Sequence, residues 1–477
     1  MPDLLYRNEN TLRGKLLLVP SDRIRVKATL FGANVDDGYD AFSLDNTRTT
    51  LSDQPGRDKQ ASRALAIDTL VHTSAADVNF IVSAMDTDSI YGYDEDWTYV
   101  GIHPDGYSST DYYFRHRKSW SAELRALSNS SNRIWDDSTD WLVGLYTLSS
   151  KEDLLRRYTY LSGDFNSDYD FVTTAAFAQF DTHLTDRLSL SSGARLERRD
   201  THYTDSAAVA FDPVDNLWGV NIALQFQRGA FMSWASIARG YKAGGFNTDG
   251  SLDADLRSFG PEYLWEIEVG TKGIIADNLQ LQASLFYDLR RDQQVKSSVV
   301  RVRADGSTEF IDFFGNAASG TNLGAELEVD FYPTETLGLN MSLGLLKATF
   351  DNYINEFGED LSGRDQAQAP RYTASVSADY RRGGWFVRAG VDARDRFYFS
   401  DRHNLRGNAY ALVNASAGYE ADHWTIRLWG RNLTNRDYYV RGFGSFGNDP
   451  RNGYAVEPYL QFGEPRVLGI DFEYRMR

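Results

Sequence analysis

The sequence predicts an all-β protein, a transmembrane antiparallel β-barrel of about 19 strands. Three observations predict it: period-two alternation with aromatic residues at strand ends, nine short turns alternating with long polar connections, and no apolar run long enough for a helix to cross a bilayer. A membrane-spanning helix needs about 18 or more consecutive apolar residues. Leu16–Val19 is typical of what is present. Barrel strands alternate apolar and polar residues, so a chain of this hydropathy can still cross a membrane.

Composition removes several other classes. Of 477 residues, 42% are hydrophobic and 14% aromatic, too many for a disordered chain. The absence of cysteine excludes a disulfide scaffold and a zinc ribbon. Lys+Arg total 50 against 67 Asp+Glu, a net charge of −17, which argues against a general nucleic-acid partner. Met1–Asn10 has neither the charged start nor the apolar stretch of a secretory leader.

The C-terminal segment shows the alternation most cleanly. Leu468, Ile470, Phe472, Tyr474 and Met476 fall on one face, and Gly469, Asp471, Glu473 and Arg475 on the other. An apolar-aromatic face opposite a charged one suits a strand between lipid and a wet lumen. The pattern recurs in hairpins. Leu323–Tyr332 and Leu337–Phe350 flank a turn at Pro333–Thr336, Tyr372–Tyr380 and Trp385–Ala393 flank Arg381–Gly384, and Tyr410–Tyr419 and Trp424–Trp429 flank Glu420–His423. Rings at the turn-side ends would be poorly placed in water but form a girdle at a bilayer interface.

Six further turns are predicted near Ser21–Arg23, Ala75–Asp77, Ser128–Ser138, Thr185–Arg187, Arg228–Ala230 and Ile275–Asn278. Between hairpins run long connections: Phe31–Ser62, Asp86–Lys118, Ser149–Asp170, Gly240–Gly260, Val295–Ser319, Asp351–Ala369 and Arg441–Phe462. Short turns at one rim and long loops at the other match an outer-membrane barrel, with turns periplasmic and loops extracellular. Nine hairpins and a final strand give 19. Bacterial barrels of this kind have an even count, so a further upward strand is expected ahead of the first hairpin. Within the pattern, the glycines of Gly240–Gly245 suit a strand-to-loop bend, and Asn432–Asn435 reads as a bulge.

Over essentially its whole length the chain resembles the barrel of TonB-dependent outer-membrane receptors. The segments that carry the resemblance are RGKLLLVPSD from Arg13, WSAELRAL from Trp120, WLVGLY from Trp141 and AAFAQFDTHLTDRLSLSSGAR from Ala175. ARGYKAGGFN from Ala238, PEYLWEIEVGTKG from Pro261, GAELEV from Gly324, APRY from Ala369, NLTNRDY from Asn432 and GEPR from Gly463 continue it in order. The resemblance implies a 22-strand barrel around a plugged lumen, with 1–477 forming the barrel and the first strand and hairpin, the plug domain and the signal peptide lying outside this chain. One departure is the ending Tyr474-Arg-Met-Arg477, where the family usually ends in an aromatic residue.

No enzyme chemistry is predicted, and no catalytic residue, cofactor or metal. The seven histidines show no HExxH or short His-x-His spacing. Ser400, Asp401 and His403 read as a polar loop rather than a triad, which needs geometry and not proximity in sequence. Asp86-Thr-Asp88 starts like a calcium loop, but Tyr91 stands where the loop needs glycine and Trp97 where it needs glutamate.

The binding signal lies in the connections. Tyr91, Tyr93, Trp97, Tyr99 and Tyr107 crowd the second one with Arg115 and Arg117, and Arg239, Tyr241 and Lys242 enter the next candidate loop. Rigid rings beside a few charges suit recognition of a bulky polar ligand. By resemblance the expected function is active import of a scarce ligand, a ferric siderophore by class, across the bacterial outer membrane. The expected partners are membrane lipid, lipopolysaccharide, the small ligand, and the TonB complex through a plug domain; the chain is expected to be a monomer. The −17 charge keeps a cobamide or an oligosaccharide open as ligand, and the strand count keeps a plugless passive pore open.

Overall fold

The structure, a computed structural model, describes residues 6–39, 42–54, 56–103, 106, 108–302, 304, 308–355 and 358–475, with the side chains of 308–310 and 317 left aside. Nineteen long strands dominate it. They are β1 Glu9–Ser21, β2 Ile24–Tyr39, β3 Gly56–His72, β4 Asp77–Asp94, β5 Thr110–Leu127, β6 Thr139–Tyr158 and β7 Phe165–Thr185. Next come β8 Leu188–Asp205, β9 Val214–Arg228, β10 Phe231–Lys242, β11 Glu262–Ala276, β12 Leu279–Val302 and β13 Thr308–Thr334. The last six are β14 Leu337–Tyr353, β15 Tyr372–Arg382, β16 Trp385–Arg394, β17 Tyr410–Glu420, β18 Trp424–Arg431 and β19 Val467–Tyr474.

Every strand pairs antiparallel with its successor from β1 to β19. All nine predicted turns lie between the strands they were expected to join. Among the described residues no ladder joins β1 to β19. Both run from the loop rim to the turn rim, so they are parallel to each other.

Alternation sorts the side chains as the sequence implies. On β19, Leu468, Ile470 and Phe472 are each more than two-thirds exposed. On the other face Asp471 accepts from Arg427 and from Trp429 Nε1 at 3.1 Å. An exposed apolar row of this kind is the lipid-facing wall. Rings mark the turn rim: Tyr332, Tyr380, Trp385, Trp424 and Tyr474 are exposed there, and Trp385 meets Tyr419 with ring centres 5.1 Å apart. Met476 lies outside the described residues.

Large lumenal rings lie over directly opposed glycines. Phe177 covers Gly144, Trp234 covers Gly270, Phe286 covers Gly324 and Trp429 covers Gly469. A Cβ on Gly469 would sit 2.3 Å from the Trp429 ring, so glycine makes room for a ring lying flat on the strand. Such cross-strand pairs hold register where glycine contributes no side chain of its own.

Four expectations change. The connection Ser149–Asp170 is mostly strand, the upper ends of β6 and β7. The connection Asp86–Lys118 is mostly strand: Tyr91, Tyr93 and Arg115 sit on β4 and β5, which run past the bilayer as a protruding ribbon. Val295–Ser319 is likewise the tip of the β12–β13 ribbon. A bilayer takes about 9–11 residues of a tilted strand, and alternation continues above it, so hydrophobicity alone cannot mark where lipid ends. Asn432–Asn435 is a turn that ends β18, not a bulge: the Asn435 N–H donates to the Asn432 carbonyl at 2.8 Å, and both residues have positive φ. Asparagine tolerates that backbone better than most residues.

Candidate ligand-binding site

Under the loop rim lies a cavity of about 470 Å³. Its walls come from the tops of β2, β4, β5, β6, β12 and β13 and from the connections after β2, β4, β10 and β18. The ribbon pair β4–β5 stands Tyr91, Tyr93, Tyr113 and Arg115 on one face at alternate positions. Tyr39 meets Tyr91 edge-on with ring centres 5.1 Å apart, and Tyr91 lies 5.7 Å from Tyr93.

One ion-pair network fixes the cavity's side. Arg156, almost fully buried, donates Nε to Asp111 at 3.0 Å and Nη2 to its second oxygen at 2.9 Å. Its Nη1 donates to Asp249 at 2.7 Å. The Tyr113 hydroxyl donates to Asp111 at 2.9 Å, and the guanidinium lies 5.1 Å from the Tyr113 ring centre. Burial pushes the Asp249 carboxyl up, but Arg156 and the Ser251 hydroxyl and N–H outweigh it and hold it below the usual carboxylate range. Lys296 pairs with Asp312, which also accepts from Arg402.

Opposite stands an aromatic stack. Trp97 lies parallel to Phe42 at 4.9 Å and to Phe443 at 6.0 Å, with Tyr459 edge-on at 5.2 Å. The Arg441 guanidinium lies 5.3 Å from the Phe42 ring centre and 5.1 Å from that of Phe443. These rings come from the first, second and last loops, which are also stitched by polar contacts. Asn46 donates to the Pro458 carbonyl at 2.9 Å and accepts from the Leu460 N–H, and Arg451 reaches Asp45 at 2.6 Å.

Of the residues singled out in the sequence, Tyr91, Tyr93, Trp97 and Arg115 line the cavity. Tyr99 is exposed above it, and Arg117 is exposed and bound to Glu152. Tyr107 lies outside the described residues. Arg239 shares the outward face of β10 with exposed Ile237 and stacks on Trp218 with 3.8 Å to the ring centre, a girdle position. The Tyr241 hydroxyl sits between Arg195 Nε at 3.2 Å and Glu197 at 3.1 Å. Lys242 reaches the cavity's edge, 6.0 Å from the Phe314 ring centre. The lining residues Arg156, Asp249, Lys296, Asp312 and Arg441 escaped the sequence reading, although Arg441 opens a connection already recognised as long and aromatic.

Two other clusters bear on chemistry. The Ser400 hydroxyl accepts from the N–H and Nε of Arg402, each at 3.1 Å, while His403 Nδ1 accepts from the Leu405 N–H at 3.3 Å; the serine and histidine do not address each other in these bonds. Asp86 and Asp88 lie on β4 with His116 opposite on β5, and His116 Nδ1 is 2.7 Å from Asp88. Their donor atoms lie within 4.8 Å of one another, on the outer face shared with Trp120, and Lys118 also approaches Asp86.

A continuous antiparallel sheet with lipid-facing apolar rows, a polar lumen and loops that enclose a ligand-sized cavity defines a large outer-membrane-type receptor barrel. The chain belongs to the family described as TonB dependent receptor-like, beta-barrel, whose model matches residues 10–433. It is 26% identical over 365 residues to the pesticin receptors of Yersinia pestis and Yersinia enterocolitica, an alignment covering 73% of this chain. The chain spans about half the length of these relatives, 50% of each. Its fold is similar to that of the ferric yersiniabactin uptake receptor FyuA from Yersinia pestis, with a TM-score of 0.80 at 19% identity, covering 97% of this chain and 70% of that one. The siderophore receptor PiuA from Acinetobacter baumannii gives 0.74 at 13% identity, covering 99% and 74%. At these identities the likeness is one of fold.

Proposed function

We propose that this chain is the barrel of a TonB-dependent active transporter in the bacterial outer membrane, importing a scarce ligand of the ferric siderophore class. The observation that carries the reading is the cavity beneath the loops, sized for a small chelate and walled by rings and partnered charges from six strands and four loops. Recognition of a bulky polar molecule needs a concave surface that combines rings with fixed polar groups. The similarity to receptors named for siderophores supports the class of ligand.

In this reading the barrel supplies the wall and the loop contacts, and coupling to TonB enters through a plug domain rather than through these residues. The receptor works as a monomer, with its outer face against lipid and lipopolysaccharide. The test is uptake of iron-55 from ferric siderophores by iron-starved cells that carry or lack the gene, with and without TonB. Uptake lost in either deletion is expected. Uptake that persists without TonB, together with free passage of sugars through the reconstituted protein, would mean a passive pore.

A further inference from the structure

We infer that the cavity selects a ligand close to charge-neutral that presents a flat aromatic ring, and discriminates against polyanionic chelates. The inference rests on the proposal that this cavity is the ligand site. Eleven of its 24 lining residues carry aromatic rings, and rings prefer to stack on or meet other rings edge-on.

The charges point the same way. Five carboxylates line the cavity, from Asp94, Glu95, Asp111, Asp249 and Asp312, against the four cations Arg115, Arg156, Lys296 and Arg441. Three of those cations already face carboxylates. Arg156 grips Asp111 and Asp249, Lys296 holds Asp312, and Arg115 lies 3.5 Å from Glu152. Among the described residues Arg441 makes no ion pair; it lies over the Phe42 and Phe443 rings instead, where a ligand ring can join the stack. Among the lining residues the site therefore offers Arg441 to an anionic or acceptor oxygen, with Lys242 at its edge. A chelate with three negative charges would meet a lining of five carboxylates against four cations, three of those cations already engaged, and like charges brought together in a partly desolvated site oppose binding.

Three probes of stated chemistry separate charge from shape. They are a ferric tris-catecholate with three negative charges, a neutral ferric tris-hydroxamate with aliphatic arms, and the neutral ferric complex of three 2-(2-hydroxyphenyl)oxazoline ligands. Binding is measured by calorimetry on the full-length receptor in detergent, for the wild type, Arg441→Gln and Glu95→Gln. The neutral aryl complex is expected to bind tightest and the tris-catecholate at least about tenfold more weakly. Glu95→Gln should narrow that gap, and Arg441→Gln should weaken the aryl complex. Tris-catecholate binding as tightly as the neutral aryl complex would overturn the inference and leave the cavity as the ligand site. Binding of none of the three by any of the proteins would overturn the proposed function as well.

Discussion

Arg156 is the residue on which the cavity's shape depends most directly. Its guanidinium is almost fully buried between Asp111 and Asp249, so Arg156→Met leaves two carboxylates without their cation. Breaking a buried pair from one side costs about 3–5 kcal/mol. The expected outcome is faster amide exchange around 111 and 249 and a lower Tm, with Asp111→Asn in the same background recovering part of the loss. His403, in the loop after β16, gives a pH-dependent prediction. Burial, with Arg402 and Arg364 adding to it, lowers its pKa from 6.5 to about 4. The unfolded chain then binds a proton that the folded one refuses. This contribution is complete above about pH 6.5 and is lost as pH falls toward 4, on the order of 3 kcal/mol. Burial raises the Asp401 carboxyl despite the Ala367 N–H and nearby arginines, which acts in the opposite sense as pH falls. Comparing wild type with His403→Gln isolates the histidine: protection of 398–407 should drop between pH 7.5 and 5 in the wild type and stay flatter in the variant.

At the scale of elements, strand alternation carries the barrel wall. Ile470 faces outward and Asp471 inward on one strand. Ile470→Arg should cost about 2–4 kcal/mol if it lies near the bilayer midplane, read as a lower heat-unfolding temperature on a gel, whereas Asp471→Asn should cost far less. Gly469→Val should displace the Trp429 ring and with it the bond to Asp471, broadening the Trp429 indole resonance. Nearly all of this wall was legible in the sequence, because each face has one solvent and each turn is marked by small or polar residues. The β4–β5, β6–β7 and β12–β13 ribbons were not legible as strands beyond the membrane. Tyr91, Tyr93 and Val295 alternate there without a lipid face to contrast with. The cavity was half legible: the aromatic crowding of one ribbon stood out, but Arg156, Lys296 and Arg441 come from distant segments, and only the curling of the sheet with its loops brings them together.

On the whole molecule, the sheet and the loops divide the work of holding the receptor in shape. Among the described residues β1 and β19 share no ladder, yet the loop after β2 is bound to the one after β18 through Asn46, Arg451 and the Phe42–Trp97–Phe443 stack. Trp97 holds that stack with a positive φ of 57°, an uncommon backbone for a bulky residue. Trp97→Ala should release about 3–5 kcal/mol of packing and expose 432–466 to limited proteolysis while the strands below stay protected. Capture of the ligand at this rim is tested most directly by anomalous diffraction at the iron edge from crystals of the full-length receptor grown with the neutral ferric aryl complex. A single iron peak between Tyr91 and Arg441 is the predicted result. A peak lower in the lumen, beside Arg195 and Glu197, would contradict it.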